Sequence, residues 1–179
     1  MLSNSQQKLL RKLSSKKYRH QYSLFIAEGR KVVQELIESG LDAEFITSST
    51  EFDFARDSIL VNEEVLKQWT QLETPDHILG VFKFPEFSKP ESATVLILDE
   101  INNPGNLGTI IRTCDWFGIS KIYCVNGTVD VYNSKVIQST MGSITRVELE
   151  YGEKEYILSK VQENGYELYC AHMSGSSIH

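Results

Sequence analysis

The feature that most constrains the fold is an apolar run, Thr94-Val-Leu-Ile-Leu98, that feeds through a short polar turn into a helical pattern. Five consecutive apolar or β-branched residues have no polar face to turn toward water, so they predict a strand covered on both sides, as parallel sheets require. The order then repeats. Residues 107–117 read as a helix, Lys121–Val125 as a strand, Asn133–Ser139 as a helix, Arg146–Leu149 as a strand, Glu153–Gln162 as a helix, and Tyr166–Ala171 as a last strand. Strand–helix repetition with short connections predicts a parallel sheet with right-handed crossovers, whose ligands gather at the carboxyl ends of the strands.

The first 83 residues read as a separate α/β module. Leu9, Leu10 and Leu13 recur at helical spacing, and the basic stretch after them reads as loop. Leu24–Ala27, Glu44–Thr47, Ser58–Val61 and Ile78–Phe82 read as strands. A helix spans Arg30 to Ser39 with Gly40 as its stop, and another begins at Asn62 and carries Val65, Leu66 and Trp69. Phe84 to Ser92 is polar and holds Pro85 and Pro90, so the boundary falls there, giving domains 1–88 and 93–179.

Charge is unevenly placed. Residues 1–31 hold eight Lys or Arg against Glu28 alone, a net of +7, while the chain as a whole carries −6. A basic end on an acidic body fits either a segment that touches phosphate or a solvated terminus. Lys16, Lys17 and Arg19 are the candidates for phosphate, because backbone contacts need charge more than exact placement. Glu28-Gly29-Arg30 either faces a polynucleotide or is a turn into the following helix. The three cysteines, Cys114, Cys124 and Cys170, form no Cys-x-x-Cys pair and lie in apolar surroundings, and the four histidines are scattered. No disulfide framework and no metal site is expected, and the thiols read as buried or half-buried. No apolar run is long enough to span a membrane and no secretory signal is apparent, so a cytoplasmic location is expected.

The stretch Leu98 to Gly118 reads either as a ligand-binding strand-to-helix turn or as a well-built loop that carries an exposed arginine. Pro104 and Gly105 turn the chain, Asn106 is positioned to cap the helix, and Gly108 lets a ligand or another backbone approach closely. Arg112 falls one to two turns into the helix. Asp99 and Glu100 are neighbours on an extended strand end and point apart, which argues against paired-carboxylate catalysis. Met141-Gly142-Ser143 reads either as a substrate-side lining or as a turn packed between helix and strand.

Asn103-Pro-Gly-Asn-Leu-Gly-Thr-Ile-Ile-Arg-Thr-Cys-Asp-Trp-Phe-Gly118 closely resembles the first signature motif of the SpoU (TrmH-like) RNA ribose 2′-O-methyltransferases of the SPOUT superfamily. Asn133 to Val147 resembles the family's next block. Lys16 to Leu36 and Thr74 to Phe82 resemble the two ends of its substrate-binding domain, so the likeness covers nearly the whole chain in order. The resemblance implies an L30e-like N-terminal module that presents rRNA or tRNA, and a methyltransferase domain that takes S-adenosylmethionine and works as a homodimer. It implies that Arg112 clamps a phosphate or steadies the forming alkoxide and that Asn106 holds the nucleotide or shapes the loop. RNA contacts are expected from Lys16, Lys17, Arg19, Arg30 and Ser143. Two later family motifs, which form the knot and most of the cofactor pocket, have no counterpart among these residues. The methyltransferase domain is therefore expected to be truncated, with unknown cofactor ligands, and these residues are expected to be inactive alone. The alternative is a non-catalytic RNA-binding protein. A Rossmann dinucleotide enzyme fits poorly, because Gly-x-Gly-x-x-Gly spacing is lacking.

Overall fold

The computed structural model describes residues 1–70, 76–88, 93–171 and 175. Two sheets organise it. The first has the order β1-β4-β2-β3, built from β1 (Leu24–Glu28), β2 (Ala43–Ser48), β3 (Ile59–Leu60) and β4 (Ile78–Lys83). Within it β4 is antiparallel to both β1 and β2, and β3 is parallel to β2. The second sheet, β5-β6-β7, is wholly parallel, with β5 (Leu96–Leu98), β6 (Lys121–Val125) and β7 (Glu148–Gly152). The α/β expectation holds, as a mixed sheet followed by a parallel one.

Helices α1 (Asn4–Leu13), α2 (Lys16–Tyr22), α3 (Arg30–Glu38) and α4 (Glu63–Lys67) belong to the first module, and α5 (Pro104–Trp116), α6 (Ser134–Thr140) and α7 (Lys154–Glu163) to the second. Each boundary has a local cause. Ser3 caps α1 by a reciprocal capping box with Gln6, and Asn133 caps α6 by accepting from the Lys135 N–H. After α3, Gly40 takes φ +79°, a backbone conformation that glycine enters without strain.

One apolar core runs through both modules. Phe25, Val33, Leu36 and Phe82 of the first join Leu107, Ile111, Ile122, Val136 and Ile137 of the second. Strand β1 is buried along its whole length because α1, α2 and α3 pack on it together with α6 of the second module. The seam carries an aromatic stack, in which Phe84 lies 3.5 Å from Tyr132 with planes 10° apart. Beside the stack sits a buried ion pair, Arg19 to Asp130 at 2.6 Å.

Several expectations are corrected. The basic stretch after Leu13 is helix α2, since the arginine and histidine within it are anchored across the seam, and it ends where Ser23 turns left-handed at φ +52°. Strand β5 lies at a sheet edge among the described residues, with Leu96 and Ile97 only half-buried. Strand β7 starts at Glu148 because Ser143–Thr145 forms a 3₁₀ turn first. Residues 166–171 form no strand. No described strand pairs with them, and Glu167 to Cys170 lie exposed. Cys170 is accordingly an exposed thiol, unlike Cys114 and Cys124, and burial pushes Cys124 up to about 12. Thr74, Pro75, residues 89–92, and Met173 with most of the segment to His179 lie outside the described residues.

Candidate active site and RNA-facing groove

Helix α5 starts earlier than its sequence suggested. Pro104 takes the first helical position, where its missing N–H costs nothing. Asn103, not Asn106, is the cap: its Oδ1 accepts from the N–H groups of Gly105 (2.8 Å) and Asn106 (3.2 Å). Leu107, Gly108, Ile111 and Cys114 are the buried residues of α5, which turns Asn106, Thr109, Arg112, Thr113 and Trp116 outward. Gly108 serves a backbone rather than a ligand. A Cβ there would stand 2.9 Å from the Ser139 carbonyl carbon, so α5 and α6 approach as closely as they do only without it.

Arg112 lies eight residues past Pro104, about 12 Å along the axis, farther from the helix mouth than expected. It is exposed and makes no hydrogen bond or ion pair among the described residues. It lines an open groove of about 560 Å³ with Thr109, Thr113, Asp115, Trp116, Phe117 and Ser143. Two of the groove's aromatics are conspicuously unburied, Trp116 at 85% and Phe117 at 73% exposure. The structure thus brings Arg112 and Ser143 together. Asn106 is exposed on the first turn but is not in the groove lining, being rotated about 120° around the helix from Arg112.

The Asp115 carboxylate in the groove lining is fixed by a second arginine. Arg146 binds Asp115 through Nε at 3.0 Å and Nη2 at 2.8 Å, and reaches Glu35 on α3 at 3.1 Å. Burial pulls the Asp115 carboxyl upward, but hydrogen bonds from Arg146 and Ser143 outweigh it and hold the group below its usual range. Ser143 is 5% exposed and stands in the groove lining beside Asp115. Gly142 sits against Glu35, at φ +92°, where a side chain would collide. The Met141-Gly142-Ser143 segment is thus both a packed turn and a groove wall.

The other predicted residues are dispersed. Lys16 and Lys17 are exposed on α2. Arg30 is exposed, with its guanidinium 5.8 Å above the Phe52 ring. Arg19 is corrected. It is 7% exposed, its Nε and Nη2 donate to Asp130 Oδ2 at 3.0 and 2.6 Å, and its Nη1 donates to the carbonyls of Leu13 and Ser14. Four of its five N–H donors are taken and the group is buried, so it is committed to the seam and not displayed to phosphate. Asp99 pairs with Lys154 at 2.7 Å, as a strand-end residue would. Among the described residues no cluster of His, Cys, Asp and Glu is placed to hold a metal, and no helix is long and apolar enough to cross a membrane.

Sequence reasoning missed Asp130, whose partner lies 111 positions away, and Thr128. Thr128 follows β6 on the carboxyl side of the parallel sheet. It is 4% exposed, and its hydroxyl has no hydrogen-bond partner among the described residues. A buried hydroxyl left open at that end of the sheet fits a ligand that completes it.

Comparison with known proteins agrees with this geometry. Residues 93–179 match the SpoU rRNA Methylase family, and residues 4–80 match the MRM3-like substrate binding domain. The chain is 32% identical, over 78% of its length, to the 23S rRNA (guanosine(2553)-2′-O)-methyltransferase RlmP of Bacillus subtilis, and spans 59% of that protein. Among solved structures, a putative RNA methyltransferase of the TrmH family from Porphyromonas gingivalis superposes with a TM-score of 0.76 at 32% identity, covering 92% of this chain and 69% of that one. An AdoMet-bound rRNA methyltransferase from Sinorhizobium meliloti gives 0.79 at 29% identity, covering 99% and 72%.

Proposed function

Because the chain belongs to the SpoU (TrmH-like) RNA methylase family, we propose that it acts as an S-adenosylmethionine-dependent methyltransferase on a ribose 2′-hydroxyl of ribosomal RNA, in the cytoplasm. The observation that carries this reading is Arg112, an exposed guanidinium without an acidic partner among the described residues, set in an open groove on the first helix of a parallel α/β sheet.

A ribose hydroxyl is a weak nucleophile at neutral pH, and transfer requires it to be held in line and relieved of its proton. A guanidinium is always charged, so Arg112 cannot be an ordinary base. Its work is to grip the sugar-phosphate through a bidentate contact and to stabilise negative charge as it develops on the oxygen. Arg146 engages the carboxylates of Asp115 and Glu35, so the acid in the groove lining does not compete for Arg112. Asn106, at the outer rim of the same helix, holds the nucleotide's edge. Thr128 fits the cofactor through a buried hydroxyl that has no partner among the described residues. When bound, S-adenosylmethionine supplies an electrophilic methyl group on a sulfonium.

The exposed Trp116 and Phe117 support a homodimer in which a second copy covers the end of α5. Sedimentation would show it as twice the chain mass, and a monomer at tens of micromolar would contradict it. Methyl transfer is tested with radiolabelled S-adenosylmethionine and ribosomal RNA transcripts, using the natural protein and residues 1–179 in parallel. Label in an alkali-resistant dinucleotide is expected from the natural protein, because a methylated 2′-oxygen cannot open the neighbouring linkage. Label in a base, or none, would refute the reading. Turnover by residues 1–179 alone would refute the expectation that they are inactive by themselves.

A further inference from the structure

The strongest surface feature outside the groove lies on α1 and α2. The first 27 residues contain no Asp or Glu. Of the six Lys and Arg among them, only Arg19 has a carboxylate partner among the described residues; Lys8, Arg11, Lys12, Lys16 and Lys17 are exposed and have none. Two tyrosines are interleaved with these cations. Tyr18 and Tyr22 stand four positions apart on α2, hence on one face, with ring centroids 6.2 Å apart and planes within 15°. Lys12 joins them from α1. Its Nζ donates to Tyr22 Oη at 2.8 Å and lies 5.5 and 5.3 Å from the two ring centroids. Lys17 lies 5.9 Å from the Tyr18 ring.

Tyr18 is half-buried and Tyr22 is 37% exposed, and neither belongs to an apolar cluster of the described core, so core packing does not account for their parallel rings. The helix that carries them is nevertheless rigidly held. Arg19 and His20, lying between the tyrosines in sequence, bind Asp130 of the second module, and Lys16 rests 5.6 Å from the Tyr151 ring of β7. The tyrosine face is therefore fixed relative to the module that bears Arg112.

Duplex RNA offers such a face only phosphates and sugars, because its bases are stacked on each other. Unpaired nucleotides offer both a flat base for an aromatic ring and a flanking phosphate for an ammonium group. We propose that the α1–α2 face holds unpaired nucleotides of the RNA substrate, with Tyr18 and Tyr22 stacking on bases and Lys12, Lys16 and Lys17 meeting the adjoining phosphates. The substrate is thus recognised through a single-stranded loop or bulge beside the modified residue. This rests on the reading of the chain as an RNA-modifying protein, and its test keeps the two apart.

Fluorescence polarisation with a labelled 12-nucleotide single strand and a duplex of equal length, over a series of KCl concentrations, reads the proposal directly. The Tyr18→Ala/Tyr22→Ala pair should weaken single-strand binding about tenfold or more, leave duplex binding unchanged, and keep the salt slope. The Tyr18→Phe/Tyr22→Phe pair should bind like the parent, since the ring face is retained. Lys12→Gln/Lys16→Gln/Lys17→Gln should lower the single-strand salt slope by about 2. Alanine variants that bind single strands normally, or lose single strand and duplex equally, would overturn the stacking face while leaving the RNA reading intact. Parent protein that binds neither RNA at low salt would overturn both.

Discussion

Two arginines show how differently one side chain is used at the two ends of this molecule. Arg19 is sealed in the seam between the modules, where Asp130 and two backbone carbonyls take up its donors. Arg112 stands on α5 in an open groove with no partner among the described residues. The first is buried with four of its five N–H donors engaged, and its neighbours would suffer if it moved. The second contributes almost nothing to the fold, which leaves its charge available. What separates a structural from a functional guanidinium here is the carboxylate it finds, not the basic context of its sequence.

The largest effect expected from breaking this contrast is at the seam. Asp130→Ala leaves Arg19 buried without its counter-ion, and unfolding in urea should show a loss of about 3–5 kcal/mol. By contrast, Arg112→Ala should change stability by no more than about 0.5 kcal/mol. A comparable loss at both sites would dissolve the distinction. Next comes the packing that places Arg112. Gly108→Ala pushes a methyl group into Ser139 on α6, and the same urea titration should show a cost of about 1–3 kcal/mol. An unchanged midpoint would mean that α5 has room to shift, and that the groove is less fixed than described.

A smaller effect concerns the carboxylate in the groove lining. The Asp115 carboxyl is held below its usual range, so its pairing with Arg146 stabilises the folded chain above the unfolded carboxyl's pKa and is lost as pH falls through the folded one. Asp115→Asn should therefore cost about 1 kcal/mol at pH 7, because the pair is partly screened by solvent. The difference from the parent should shrink below about pH 4. A pH-independent difference would show that packing, not charge, is what Asp115 supplies.

Much of the second module was legible in its sequence, because burial wrote it there. Strand β6 is buried at all five positions, and Ile122, Cys124 and Val125 are apolar. Helix α5 was legible for the same reason, though its cap moved three residues earlier, since Asn103 followed by Pro104 is the stronger start signal. The resemblance of residues 103–118 located Arg112, and local periodicity turned it outward. What stayed hidden depends on partners distant in sequence. Arg19 looks like its basic neighbours until Asp130 is brought to it from 111 positions away. The strand expected over residues 166–171 satisfied the local pattern but meets no sheet edge. Ser143 was expected to touch RNA, and only the fold reveals that it is buried in the groove lining beside Asp115.

The central claim is that Arg112 acts on the polynucleotide and not on the cofactor or the fold. It is tested most directly by preparing Arg112→Ala in the natural protein and measuring single-turnover methyl transfer to ribosomal RNA beside calorimetric affinity for S-adenosylmethionine. Transfer should fall by at least about a hundredfold, with cofactor affinity unchanged within a factor of about two. Transfer near the parent rate, or a loss explained wholly by weakened cofactor binding, would contradict it.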